Sequence, residues 1–405
     1  MTTSATMSAD DRAALLALLC LKGMGPARLR WLVGDRQPSA VLVSLQKQRL
    51  PDHGPRPRGL TSDLASSWFT ASRRGDPHAL LQRHHAAGIG VLAPGDDVWP
   101  FADDPEPPAM VFVQGDLAAL GSQRRVGVVG TRRCTSVGRR VAQSFGADLT
   151  AAGISVVSGL ALGIDGAAHG GALTRIREAP IGQGSATPPP LPIAVVAGGL
   201  DHIYPPKNRG LWQQLLDQGL LVSEAPLGVA PERWRFPARN RLIAALSDLL
   251  VVVESHGSGG ALLTVDEAAD RDVPVVAVPG SVMSAASDGT NRLLLDGVAP
   301  VRHAGDVLDM LGFVPPIEQL ALAIQGESSE SEEREGVAPN PVTERDKARA
   351  VVLAEVGASA VHVDTLVAAT GLGVVEVLSL VRRLATEGHV EIDGNWVGLS
   401  AEGGG

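Results

Sequence analysis

The sequence predicts a doubly wound parallel α/β sheet with a helical segment ahead of it and a winged helix behind it. Three observations carry this. β-branched runs recur at 126–129, 154–157, 193–196, 249–253 and 273–278 without alternation, as strands covered on both faces require. Helical stretches lie between most of them, such as 137–152, closed by Gly153, and 261–270. Each strand runs into glycine or small polar residues, and in open α/β sheets that carboxyl edge is where ligands bind.

The flanking elements follow in order. Residues 12–20 are apolar at helical spacing, Lys22-Gly23-Met24-Gly25-Pro26 breaks the pattern, and 27–33 resumes it. This is either a helix-hairpin-helix, whose turn amides face a phosphate, or a plain helical hairpin. A Pro/Arg-rich loop at 51–58, a helix from Ala79 and short strands at 89–92 and 110–113 come next, with irregular chain at Trp99-Pro100 and 105–108. The Gly/Pro-rich stretch 174–192 reads as a surface insertion. Residues 345–356, 365–369 and 374–387 read as helices, and 389–392 with 396–399 as a hairpin turning at Asp393-Gly394-Asn395. Three helices and a hairpin make a winged helix. Its third helix carries only Arg382 and Arg383, which favours protein contact or a structural role over groove reading. The expected divisions are 1–75, 76–312, an acidic linker over 313–344, and 345–400.

Composition bounds the function. The 405 residues are 44% hydrophobic and 20% charged, enough for two to four globular domains. The longest wholly apolar stretch, 13–21, is too short to span a bilayer, and residues 1–12 carry no export pattern. No membrane insertion and a cytoplasmic location are expected. Cys20 and Cys134 form neither a disulfide framework nor a metal cluster, which suits a reducing compartment. Taken as whole-chain totals, the net charge of −9 and 3% aromatic content argue against nucleic acid.

The distribution of charge reverses that inference. Residues 313–405 hold 6 basic and 15 acidic residues and so carry the entire −9. Within the sheet region, Arg132, Arg133, Arg139 and Arg140 fall in one nine-residue window, and Arg233, Arg235, Arg239 and Arg241 in another, with no acid in either. Both windows sit at helix starts, where cations oppose the macrodipole, so a bound anion would relieve them. Arginines fanned into solvent or paired with distant acids are the alternative. Trp234, Phe236 and Tyr204 lie near these windows, available either for stacking or for packing.

Several chemistries fail on spacing. Gly127, Gly130 and Gly138 do not make GxGxxG, no Lys-Ser/Thr follows a glycine loop, and Ser258 lacks a nucleophile elbow. Ser158, Asp165 and His169 have the order of a hydrolytic triad, but Asp165 as a cap and a backbone-bonded His169 explain them as well. No Cys/His cluster suggests a metal, and no cofactor is expected.

Read together, Gly130-Thr131-Arg132, the run from Ser158 to Asp165 with Ala168-His169, and Gly198-Gly199-Leu200-Asp201 with Tyr204-Pro205 and Asn208 resemble the DprA/Smf DNA-processing family. So do the run from Phe236 to Ile243, Glu254 with Ser258-Gly259-Gly260 through Thr264, Val278-Pro279-Gly280 and Gly289-Thr290-Asn291. The order and spacing match over about 126–311. The resemblance implies an extended Rossmann-like domain, with a helix-hairpin-helix or SAM-like helical domain before it and a winged helix after it.

It also implies a non-enzymatic binder of single-stranded DNA in natural transformation. Such a protein dimerises, displaces single-strand-binding protein and loads a RecA-type recombinase. On matching positions, Arg132 would contact phosphate, Arg239, Asn240 and Arg241 would line the same pocket, and Lys207 would join them. Gly130, Thr131, Ser158, Gly159, Gly163, Ser258, Gly259 and Gly260 would form its loops, the glycines and Ser258 supplying backbone approach. Thr131 stands where the family usually has Ser, and the 174–192 insertion is unusual. Two other readings are a nucleotide-processing enzyme of the lysine-decarboxylase-like type, using Ser258 to Thr264 with Glu267, and a purely structural recombination scaffold. Low aromatic content predicts binding dominated by phosphate contacts, with little stacking.

Overall fold

The computed structural model describes residues 6–122, 124–178, 190–312 and most of 344–399. Two compact units divide the chain, Met1–Pro315 and Pro316–Gly405.

The first unit opens with five helices: α1 (Ala9–Leu19), α2 (Pro26–Val33), α3 (Pro38–Gln46), α4 (Ser62–Arg74) and α5 (Pro77–Ala86). Side-chain caps start three of them, Ser8 on α1, Thr61 on α4 and Asp76 on α5, each satisfying an otherwise orphaned amide. Trp68 of α4 is fully buried and its Nε1 donates to the Lys22 carbonyl at 2.9 Å, tying α4 to the α1–α2 turn. Sequence periodicity does not reveal α3 and α4. The buried face of α4 is narrow, with only Ala65, Trp68 and Ser72 buried along it.

Nine strands form one sheet: β1 (Gly90–Leu92), β2 (Val111–Gly115), β3 (Arg125–Val129), β4 (Ser155–Ser158), β5 (Ile193–Val196), β6 (Leu220–Ser223), β7 (Leu249–Val252), β8 (Val275–Ala277) and β9 (Ala299–Pro300). Their spatial order is β1-β2-β6-β5-β4-β3-β7-β8-β9. From β6 to β9 every pairing is parallel, whereas β2 meets both β1 and β6 antiparallel. The sheet is therefore parallel-dominated with an antiparallel edge. The chain winds outward from β3 to β6 and returns to β7 on the other side of β3, so the topological switch lies between β3 and β7. β4 to β7 are buried along their whole length, which explains why their sequences are apolar apart from serines and show no polar alternation.

Helices cover both faces. α6 (Ser136–Ala151) and α7 (Ile164–Glu178) lie on one, where Phe145, Leu149 and Ala168 pack on Val128, Val156 and Val251. α8 (Arg209–Gln218) follows β5, and α9 (Arg235–Ala245) and α10 (Gly260–Ala269) supply Leu242, Ile243 and Ala268 to a core with Val129, Leu250 and Val252. α11 (Asp288–Leu295) and α12 (Ala304–Met310) complete the unit. Residues 1–75 are not insulated from this sheet: Leu15, Leu18 and Trp68 share one apolar cluster with Phe112, Ala194 and Leu221. Residues 174–178, expected in an insertion, are instead the last turn of α7, while 179–189 and the acidic stretch 313–343 lie outside the described residues.

The second unit contains α13 (Glu344–Glu355), α14 (Val363–Thr370) and the strands β10 (Val361–His362), β11 (Val390–Asp393) and β12 (Trp396–Leu399), ordered β10-β12-β11. Val352, Leu366, Val381, Leu384 and Val397 form its core. Arg382 and the turn at 394–395 lie outside the described residues.

The tightest helix contact is between α6 and α7. A Cβ on Gly146 would stand 2.0 Å from the Ala168 carbonyl oxygen and one on Gly171 1.9 Å from that of Gln143, so two backbones touch where any side chain would part them. Gly171→Val should therefore destabilise the unit by about 1–3 kcal/mol or more, read as a lower denaturant midpoint.

Candidate nucleic-acid interface

The first helix of a doubly wound fold normally offers its N-terminus to a ligand phosphate. Here an internal anion occupies it. Glu254, directly after β7, accepts from the Thr135 amide at 2.9 Å and from the Thr135 hydroxyl at 2.5 Å, while Thr135 caps α6 through the Gly138 amide. A Cβ on Gly138 would stand 2.1 Å from the Glu254 carboxyl carbon. The Thr131 amide donates to the Glu254 carbonyl at 2.7 Å, and the Thr131 hydroxyl lies 3.1 Å from His256 Nδ1. The switch point is thus closed by contacts between the loops after β3 and β7.

Beside it is an open cleft of about 560 Å³, walled by the β3–α6 loop, the first turns of α9 and the start of α10. Arg132 and Arg233 line it and are exposed, and neither forms an ion pair among the described residues. The Arg132 guanidinium lies 5.0 Å from the Phe236 ring centre, and Phe236 lies 5.2 Å from Tyr204, which is 40% exposed. Cation and two aromatic rings form one continuous wall. Arg133, Arg139 and Arg140 are also exposed, on the loop and first turns of α6.

The remaining arginines of the two windows do other work, which corrects the expectation of eight free cations. Arg241 is buried and paired with Glu224, and it also donates to the Glu106 carbonyl at 2.8 Å. It lines a different cavity and does not reach the cleft. Arg235 pairs with Glu232 at 3.7 Å. Arg239 lines the cleft yet is buried, donating to the Val195 carbonyl. Burial pulls its guanidinium down to about 10, opposed by Asp165. Asp165 is itself buried, which raises its carboxyl, with Arg239 the main opposing influence. The cleft's one acid among the described residues is therefore balanced from below.

The glycines bring chain to chain more than chain to ligand. A Cβ on Gly159 would stand 1.9 Å from Arg239 Nη1, so this glycine admits the buried guanidinium. Gly163, at φ +83°, would meet the Thr131 carbonyl at 2.3 Å. Gly130 abuts Ile164 and the Glu254 carbonyl. Gly259 and Gly260 line the cleft at the start of α10, with Gly260 open, and Asn240 Nδ2 reaches the Gly260 carbonyl at 3.5 Å. Ser158 is buried and donates to the Val128 carbonyl at 2.6 Å, so it faces the core and not a ligand. Lys207 and Ser258 are exposed outside the cleft's lining. Sequence reading missed Glu254 as the plug. An acid directly after a central strand, facing a Thr-capped helix start, was its signal.

Asp165 and His169 do not form a triad with Ser158. Asp165 accepts from the Ala161 amide at 3.4 Å, bracing the β4–α7 loop, and Asn208 Nδ2 holds the same loop through the Leu160 carbonyl at 3.0 Å. His169 is fully buried, and burial holds its imidazole down to about 4, with the Ser158 backbone opposing. A histidine neutral in the fold and ordinary when unfolded stabilises above about pH 6.5 and loses that contribution as pH falls toward 4. On going from pH 7 to 5 the native state should lose on the order of 2 kcal/mol through this group. His169→Gln should flatten that part of the pH dependence of thermal stability.

Comparison with known proteins agrees with this architecture. The family described as DNA recombination-mediator protein A matches residues 90–312, and the DprA winged helix domain matches 337–393. The Protein Smf of Synechocystis is 33% identical over 77% of this chain and 76% of its own length. The DNA processing protein DprA of Bacillus subtilis is 30% identical over 74% of this chain and 96% of its own. The X-ray structure of DprA from Streptococcus pneumoniae superposes with a TM-score of 0.56 at 25% identity, over 75% of this chain and 98% of that one. With both its sheet region and its winged helix matched, the chain belongs to the DprA/Smf family, the DNA recombination-mediator A proteins.

Proposed function

We propose that the cleft binds single-stranded DNA and that the protein acts by holding the strand, without catalytic turnover. A DNA-processing role comes with the family. The observation that carries the finer reading is the wall of Arg132, Phe236 and Tyr204, with Arg233 opposite an open glycine loop. Exposed guanidiniums suit phosphates, and open ring faces suit bases that are not already stacked in a duplex. Stacking therefore contributes more than the low aromatic content of the chain suggests. Glu267, which an enzyme of the lysine-decarboxylase-like type would need at the site, pairs with Arg271 and does not line the cleft.

The family's description as a recombination mediator supports delivery of the strand to a RecA-type recombinase, with displacement of single-strand-binding protein. Action as a homodimer in natural transformation, in the cytoplasm, completes the proposal. None of the helices among the described residues is long and apolar enough to cross a membrane.

A salt titration with oligo-dT tests the binding. Log affinity should fall steeply with log salt. Arg132→Ala should lower affinity by more than about 1 kcal/mol and reduce that slope by about one, whereas Arg241→Ala should lower stability and leave the slope unchanged. Unchanged affinity in Arg132→Ala overturns the cleft as the DNA site, and nucleotide hydrolysis by the pure protein overturns the absence of turnover.

A further inference from the structure

Trp234 has no part in the wall just described, yet it is 45% exposed. It stands at the N-cap of α9 between Arg233, which lines the cleft, and Arg235. Its Nε1 donates to Glu232 at 2.7 Å, and the Arg235 guanidinium lies 4.4 Å from the ring centre over one face. The indole is thus held by its Nε1 edge and one face, its far edge faces the Gly25 turn, and part of its surface stays open.

Behind Trp234 lies a second cavity, about 470 Å³, between α1, α2 and α9. Its walls include Met24, Leu29, Pro107, Met110 and Trp234, and its volume falls among small-molecule sites of about 300–1,000 Å³. Five of its charged side chains are already paired: Arg30 with Glu106, Arg241 with Glu224, and Arg235 with Glu232 outside the lining. Arg239, the sixth, donates to the Val195 carbonyl and is balanced by Asp165. A charged occupant would find no free counterion, whereas a neutral flat ring would find apolar walls. The cavity adjoins the cleft across the first turn of α9, and Arg239 lines both.

We infer that this cavity receives a nucleobase of the strand held in the cleft, with Trp234 as the stacking surface at its entrance. The inference rests on the cleft binding single-stranded DNA. A base leaving the Arg233 side of the cleft meets the open indole first and the apolar walls next. A ring buried there exchanges water for carbon contacts without giving up an ionic partner.

The test uses the full chain and oligo-dT carrying one 2-aminopurine, moved position by position along the strand. With wild type, one position should be strongly quenched on binding. Trp234→Ala should restore emission at that position alone and weaken binding about five- to hundred-fold, the effect of losing one stacked base. Trp234→Phe should recover most of both. Ala238→Phe, which narrows the cavity from α9, should weaken binding similarly, with an unchanged melting curve showing that the fold is intact. Arg132→Ala should weaken binding and leave the quenched position quenched. If wild type binds and no position distinguishes it from Trp234→Ala, the cavity takes no base and the inference falls while the cleft stands. If wild type does not bind the strand at all, the reading of the cleft falls, and the inference with it.

Discussion

The Glu254 carboxylate at the start of α6 is the interaction on which the rest of the site depends. A helix N-terminus is a partial positive charge in search of an anion, and this one is met by the protein's own side chain. That single choice closes the crevice that dinucleotide-binding folds keep open. It also offsets the repulsion between that helix start and the arginines beside it, because the carboxylate is an anion for both. Arg132 then projects over the neighbouring cleft, where Phe236 supports it.

A second constraint lies beneath the cleft. Arg239 is buried, which is tolerable because its charge is matched by Asp165 and one of its nitrogens bonds the Val195 carbonyl. Gly159 makes room for the guanidinium. Beneath the site Arg239 and Asp165 offset each other electrostatically without direct contact, and the rim carries the exposed charge.

Much of this was legible in sequence, for identifiable reasons. The central strands β5 and β7 are buried along their whole length and read as unbroken apolar runs, and β4 is a valine pair between two buried serines. β6, Leu-Leu-Val-Ser, follows α8 after Gly219 alone, so its apolar residues read as the end of that helix. The edge strand β9 has two residues, one of them proline, and carries no strand signal. Each arginine window reaches the cleft, through Arg132 in one and through Arg233 and Arg239 in the other, but the sign of a side chain does not reveal where its counterion comes from. Glu224 and Asp165, the acids that face Arg241 and Arg239, lie outside the windows. Phe236 and Tyr204 are 32 residues apart in sequence and only the fold brings their rings together.

The cluster shared by the N-terminal helices and the sheet has a consequence for how the chain can be divided. Composition places a boundary near residue 75, but Leu15, Leu18 and Trp68 cover one face of the sheet alongside Phe112 and Leu221. Removing residues 1–75 would uncover a broad apolar surface and open one side of the cavity behind Trp234. A seam in composition is not a place to cut: the N-terminal helices are the lid of the molecule's own core, and the smallest autonomous piece that retains the cleft begins ahead of them.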